Sequence, residues 1–314
     1  MALAETDGML VIAGFVLLML GGEFVVQGAI TIANRLKVPP LLIGFTVVAI
    51  GTSLPELAVV LEAVSEGTPE IAVGAVLGSN VANVMLVLGT AALLGAASDP
   101  GPGIRRDAIA VAVATVILLA AVLIGEIASQ FGVLMLLGLA AYYTYSYRAS
   151  KADGNDVEDS KSWLPDNVKL AIPTTVAGGY MIWTGAQMLV EGATGLAIDY
   201  GISESVIGLS IVALGTSLPE LAVTLVAGLR GQGGVAIGNV LGSNVINILG
   251  ILGVASTYAG GLILAPEFAV RDIWIVVLTS GFIVAMLLDE RHIGRRVGAT
   301  MVAGYLAYMV FLYL

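Results

Sequence analysis

The chain has 314 residues, 58% of them hydrophobic and only 11% charged, where an ordinary globular domain carries about 25% charged residues. It contains no cysteine, which excludes disulfides, thiolate metal sites and cysteine nucleophiles. The formal net charge of −10 belongs to the loops of such a chain and points to neither nucleic acid nor a protein partner.

Apolar runs of about 20 residues recur along the whole length, the signature of membrane-spanning helices. The chain therefore reads as an all-α polytopic membrane protein. The first run, Met9 to Leu20, follows Glu5 and Asp7 instead of basic residues, so it reads as part of a retained helix and not as a secretory signal. Ten transmembrane helices are predicted. In the first half they are Gly8–Asn34, Pro40–Val64, Ile71–Ala96, Ile104–Ile124 and Ile127–Arg148. In the second half they are Asn167–Ile198, Ser203–Leu229, Gly233–Leu264, Val270–Leu288 and Ile293–Leu314. Between the halves, residues 149–166 are rich in Lys, Asp, Glu, Gly and Ser and read as a flexible cytoplasmic linker. This gives a first five-helix unit over 1–148, the linker, and a second unit over 167–314. The only histidine, His292, lies in the charged stretch Asp289–Arg296 and reads as a solvated loop residue.

Alternate loops differ sharply in basic residues. One set holds Arg35, Lys37, Arg105, Arg106, Arg148, Lys151, Lys161, Lys169, Arg230, Arg291, Arg295 and Arg296; the other holds Arg271 alone. The positive-inside rule puts the first set in the cytoplasm and both termini outside the cell membrane.

Adding 164 to a position in the first half lands on a counterpart in the second. IGFTVVAIGTSLPELAV at Ile43–Val59 matches IGLSIVALGTSLPELAV at Ile207–Val223 in 13 of 17 positions. VGAVLGSNVANVMLVLG at Val73–Gly89 matches IGNVLGSNVINILGILG at Ile237–Gly253 in 10 of 17. Five helices per unit is an odd number, so the second copy enters the membrane from the opposite side. The expected architecture is two inverted-topology five-helix repeats, a plan that sets substrate sites near the midplane at the repeat interface.

The first block carries Pro55 and the second Pro219. Proline lacks a backbone donor and clashes one turn back, so each helix should break in mid-membrane, freeing carbonyls around Ala49 and Ala213 that need a cavity or protein partners. Ser53-x-x-Glu56 has the spacing of a capping box, yet capping alone is a poor reason to bury Glu56 and Glu220. An ionisable group inside a span costs at least about 2.5–3.5 kcal/mol. Thr52, Ser53, Thr216 and Ser217 sit at the same breaks. In the later blocks Ser79 and Asn83, and Ser243 and Asn247, lie four residues apart on one helix face; Asn80 and Asn244 serve packing or the site equally well. All these groups are hard oxygen donors, which suit Ca²⁺ and Na⁺ and not zinc or copper. Two carboxylates balance one Ca²⁺ or two Na⁺, so the ions can compete for one cage. Glu23 and Gln27, with offset partners Gln187 and Glu191, fit an access path, helix-end bonds or the membrane interface.

The paired GTSLPE blocks, each followed by a GSN-x-x-N block, resemble the α-repeats of the Ca²⁺/cation antiporter superfamily, most nearly its prokaryotic Na⁺/Ca²⁺ exchanger branch. The resemblance covers essentially the whole chain. It implies Ca²⁺ coordination by Glu56 and Glu220. It implies Na⁺ sites using Ala49, Thr52, Ser53, Ser79, Asn83, Ala213, Thr216, Ser217 and Ser243, and helices 1 and 6 that slide across the bundle. The chain departs from the archaeal pattern at Asn247, where an Asp is expected, leaving two carboxylates in place of three. The expected function is Ca²⁺ exchange for Na⁺ by alternating access, with Ca²⁺, Na⁺ and the bilayer as partners, no cofactor and no enzymatic activity. H⁺/Ca²⁺ or K⁺-dependent exchange, and a passive cation channel, remain alternatives. An intramembrane hydrolase is not supported: there is no Ser–His pair, no HExxH and no paired Asp.

Overall fold

The computed structural model describes residues 2–97, 101–152, 162–201, 213–289 and 292–312. Its helices are α1 (Ala2–Leu36), α2 (Pro40–Thr52), α3 (Leu54–Ser65), α4 (Pro69–Leu93), α5 (Ile104–Ile124), α6 (Ser129–Ala152), α7 (Val168–Asp199), α8 (Ala213–Gly215), α9 (Leu218–Leu229), α10 (Gly233–Ala259), α11 (Phe268–Leu288) and α12 (Arg295–Leu312). Helix thus occurs at each predicted location. Among the described residues five helices (α1, α4, α5, α10 and α11) are long and apolar enough to cross a membrane, or six if the bent pair α2–α3 counts as one span. The start of the predicted Ser203–Leu229 helix falls on 202–212, outside the described residues.

The exterior is lined with large apolar side chains, Ile12, Phe15, Val113, Leu134 and Leu278 among them. A water-soluble monomer rarely exposes so continuous an apolar surface; here it is the face offered to lipid. The centre of the bundle is α10, whose most apolar stretch is 94% buried, against 33% for α1 and 39% for α11. The helix carrying Ser243, Asn244 and Asn247 is therefore the one around which the others pack.

α1 and α7 run antiparallel with their backbones in contact. A Cβ on Gly14 would lie 2.6 Å from the Gly185 carbonyl oxygen, and one on Gly21 2.7 Å from that of Gly178. The seam continues where Gly28 meets Ala171 and Gly192 meets the backbone of Asp7. Small residues every seventh position let two helices approach this closely in a bilayer. Gly22 instead faces Ala222 and Val226 of α9, while Gly179 faces open space.

Among the described residues four helices contain wide π-type turns, at Gly44–Val48, Asn83–Leu88, Ile246–Ile251 and Phe268–Asp272. Such turns are rare and concentrate at functional sites. Two of them correspond across the repeat and carry Asn83 and Asn247.

Helix boundaries shift by a few residues from the sequence reading, and three regions differ in kind. Ile127 does not begin a helix, and the α10 helix does not reach Leu264. Glu126–Ala128 forms strand β1 and Gly261–Ile263 forms strand β2, paired antiparallel with Ile127 opposite Leu262. Gly125 and Gly260, both in the left-handed region at φ 83 and 75, end the helices before them, freeing the chain for the ladder. The linker is narrower than 149–166: helix α6 continues to Ala152 and Trp163 packs against Phe24 of α1. His292 is exposed, as expected.

Candidate functional site

The break between α2 and α3 lies at Ser53, with backbone angles φ −88 and ψ 4. Its counterpart Ser217 has φ −91 and ψ 0. In each case proline occupies the first turn of the following helix, and α2 and α3 are bent by 43°. Two expectations need correction here. The Ala49 carbonyl keeps its ordinary donor, accepting from the Ser53 N–H at 3.0 Å. The carbonyl that Pro55 deprives is Gly51's, four residues before it. Nor does a capping box form, because neither Ser53 nor Ser217 caps with its side chain. The Ser53 hydroxyl donates instead to Glu220 Oε1, 3.2 Å away in the other repeat.

That bond marks where the two halves meet. Glu56 is 4% exposed and Glu220 fully buried, and the Ser53 bond brings the break that precedes Glu56 against the Glu220 carboxylate. Ser243 donates to Glu220 Oε1 at 3.4 Å. Thr52 Oγ1 lies 3.5 Å from Ser243 Oγ. Both oxygens of Glu56, Oε2 of Glu220, the Ser217 hydroxyl and both amide atoms of Asn83 and of Asn247 are buried without a hydrogen-bond partner among the described residues. Buried polar atoms are nearly always satisfied, and the helices carrying Glu220 and Glu56 touch the π-type turns that carry Asn83 and Asn247, so these unpartnered atoms make a candidate for ligand binding. Asn80 and Asn244 are partly used by the fold: Asn80 Nδ2 donates to the Val76 carbonyl at 2.7 Å, and Asn244 Nδ2 to the Asn80 carbonyl at 3.4 Å. Ser79 is buried beside them. Of the remaining predicted positions, Thr216 lines a cavity with Gln187 and Glu62. Ala213 opens the short helix α8.

Another buried carboxylate provides a contrast in charge. Asp107 is fully buried and its Oδ2 also lacks a partner among the described residues, but its Oδ1 accepts from Arg106 Nε at 3.0 Å and from the Tyr142 hydroxyl at 2.5 Å. A buried charge that serves structure has its counter-charge built in. Glu220 has only the hydroxyls of Ser53 and Ser243, and Glu56 accepts no hydrogen bond among the described residues. No group of three or more His, Asp or Glu residues suited to a metal occurs among the described residues, so any cation held here meets two carboxylates and neutral oxygens.

The sequence reading missed Asn239. It is fully buried and touches both halves: its Oδ1 accepts from Thr52 Oγ1 at 3.1 Å, and its Nδ2 donates to Thr224 Oγ1 at 3.1 Å and to the Glu220 carbonyl at 3.3 Å. The available signal is an Asn inside an apolar helix, which the repeat does not mark because its offset counterpart is Ala75.

The two outer polar pairs part company. Glu23 accepts from Arg230 Nε at 2.8 Å, from Gln27 Nε2 at 3.0 Å and from Trp163 Nε1 at 3.1 Å. It ties α1 to the end of α9 and to the chain entering α7. Gln187 lines a cavity of about 380 Å³ with Glu62, Thr216, Pro55 and Pro219, which reaches the breaks from one face. Glu191 is exposed.

Comparison with known proteins gives a consistent result. The family model described as sodium/calcium exchanger protein matches residues 8–148 and 170–314. A putative antiporter, CaxA of Alkalimonas amylolytica, is 34% identical over 307 residues, covering 96% of this chain and 95% of the relative. The sodium/calcium exchanger MaX1 of Methanosarcina acetivorans is 31% identical, with 97% and 98% covered. A solved structure of the sodium-calcium exchanger NCX_Mj, soaked with 10 mM Na⁺ and 10 mM Sr²⁺, superimposes with a TM-score of 0.82 at 29% identity, covering 98% of each chain.

Proposed function

The chain belongs to the sodium/calcium exchanger protein family, and from that premise we propose that it moves Ca²⁺ against Na⁺ through a single cage of oxygen ligands shared by its two repeats. The observation that carries this reading is the pairing of Glu56 with Glu220. One carboxylate comes from each repeat, both are buried, and no basic side chain accompanies them among the described residues. Two anions side by side away from water need about two positive charges. One Ca²⁺ or two Na⁺ supplies them equally, and the two loads exclude one another. A carrier that is costly to leave unloaded and can be filled either way is an exchanger.

The ligands are Glu56 and Glu220, with Thr52, Ser53, Ser79 and Asn83 from one side and Thr216, Ser217, Ser243 and Asn247 from the other. The Ala49 and Ala213 carbonyls, one turn before the breaks, complete the set, Ala49 through the lone pair that the Ser53 N–H leaves open. The architecture is ten spans in two inverted repeats. Geometry repeated at the 164-residue offset supports it: the breaks at Ser53 and Ser217, and the π-type turns at Asn83 and Asn247.

Flux in reconstituted vesicles tests the reading. With Na⁺ loaded inside, ⁴⁵Ca²⁺ uptake is expected to follow the Na⁺ gradient, and Glu56→Gln or Glu220→Gln to reduce it at least about 100-fold, since each removes a charge-assisted ligand. Uptake driven by a proton gradient alone would reassign the counter-ion. Uptake indifferent to either gradient would make the protein a channel.

A further inference from the structure

We infer that Asn239 is a positioning residue that sets the Thr52 hydroxyl, and spares the Ala49 carbonyl, for cation binding. The inference rests on the oxygen cage proposed above, and the direction of each proton decides it. The Glu220 backbone carbonyl can only accept a hydrogen bond. Asn239 must therefore turn its Nδ2 toward it, at 3.3 Å, and the second Nδ2 proton falls to Thr224 Oγ1 at 3.1 Å. This fixes the amide. Its oxygen faces Thr52, and an amide oxygen only accepts, so Thr52 must donate across the 3.1 Å contact. The hydroxyl then presents lone pairs alone to whatever lies on its other side, as a cation ligand must.

The alternative acceptors for the Thr52 proton both lie farther off than Asn239: Ser243 Oγ at 3.5 Å and the Ala49 carbonyl, 3.3 Å away within the same turn. That carbonyl already receives the Ser53 N–H at 3.0 Å. A second bond from Thr52 would use its remaining lone pair and remove it from the cage. Asn239 thus controls two oxygens at once. The positions corresponding to Asn239 and Thr224 are Ala75 and Val60, 164 residues earlier, and neither carries a polar group.

The two cations should feel this differently. Ca²⁺ draws most of its binding from the two carboxylates, whereas singly charged Na⁺ leans more on neutral oxygens. Losing Asn239 should weaken Na⁺ more than Ca²⁺.

Ion-induced thermal stabilisation of the purified full-length chain, titrated separately with NaCl and CaCl₂, reads both affinities without requiring transport. Asn239→Ala is expected to weaken Na⁺ about five- to tenfold and Ca²⁺ less than about twofold, the scale of one lost hydrogen bond. Thr52→Val should do the same, and the double variant should be no worse than either single one, because both remove one unit. Thr224→Val, which loosens the amide without touching the cage, should show a smaller loss in the same direction and serves if Asn239→Ala fails to fold. Equal loss for both ions, additive effects in the double variant, or unchanged Na⁺ affinity would overturn the inference. Intact binding of both ions by the native chain with no exchange in vesicles would defeat the transport reading and leave this one standing; a native chain that binds neither ion defeats both.

Discussion

Asn83 and Asn247 bury both polar atoms of their amides without a partner among the described residues, an expensive arrangement for a neutral side chain. Each sits at a π-type turn, where the helix ladder is already loosened. An amide oxygen can coordinate a cation, but it adds no charge, so the cage is limited to the two glutamates. Asn247→Asp would bring a third carboxylate to the same place. At about 4 Å a full charge is worth roughly 4 kcal/mol even at an effective dielectric of 20. The variant is therefore expected to bind Ca²⁺ at least about tenfold more tightly at alkaline pH, and to lose it more steeply as protons compete on acidification. ⁴⁵Ca²⁺ exchange measured across pH and Na⁺ checks this, and profiles superimposable on those of the native chain would refute it. At this scale the glutamates were legible because an ionisable residue inside an apolar run stands out, and doubly so when repeated. Asn239 was not, because its role depends on Thr52, 187 residues away, and repetition had no copy of it to show. The Ser53–Glu56 spacing misled for the opposite reason. A capping box and a broken helix with a functional serine share the same letters, and only the position of Glu220 across the interface decides between them.

Among the elements, the contact of α1 with α7 is the most exacting. Gly14, Gly21, Gly178 and Gly185 leave no room for a side chain, because the partner backbone stands where a Cβ would go. Gly179, one residue from Gly178, faces open space. Gly21→Val is therefore expected to force the pair apart, with the cost of an overpacked interface, about 1–3 kcal/mol or more. Gly179→Ala should change stability by less than about 0.5 kcal/mol. Thermal denaturation in detergent separates the two; a Gly21→Val protein as stable as the native one would show that the seam is not close-packed. The glycines were visible in the sequence, but not which of them touch. Seven-residue spacing in both helices becomes a seam only once the helices are known to be antiparallel neighbours. Strands β1 and β2 were illegible for a simpler reason. Three residues at the edge of a long apolar run look like more helix, and it is Gly125 and Gly260 that stop it.

For the whole molecule, the repeat can be followed in backbone geometry where the side chains diverge. Helix α3 ends with Glu66 followed by Gly67 at φ 76; α9 ends with Arg230 followed by Gly231 at φ 71. In both, the next residue returns a hydrogen bond to the carbonyl five positions back, Thr68 to Ala63 and Gln232 to Ala227. The same helix-ending motif therefore recurs at an offset of 164 with an acid in one copy and a base in the other. If the repeats are inverted, those two caps face opposite sides of the membrane, and the charge difference is the positive-inside rule acting on one fold twice. The absence of native cysteine makes this directly measurable. Glu66→Cys is expected to react with a membrane-impermeant maleimide added outside intact cells, and Arg230→Cys only after the membrane is opened. Arg230 is paired with Glu23 but 58% exposed, so replacing it should cost at most about 1 kcal/mol and leave the fold in place. Labelling of both cysteines from the same side would mean that the repeats run parallel. Glu56 and Glu220 would then approach the membrane from one direction, and a cage reached alternately from two faces by a two-fold-related pair of breaks would lose its geometric basis.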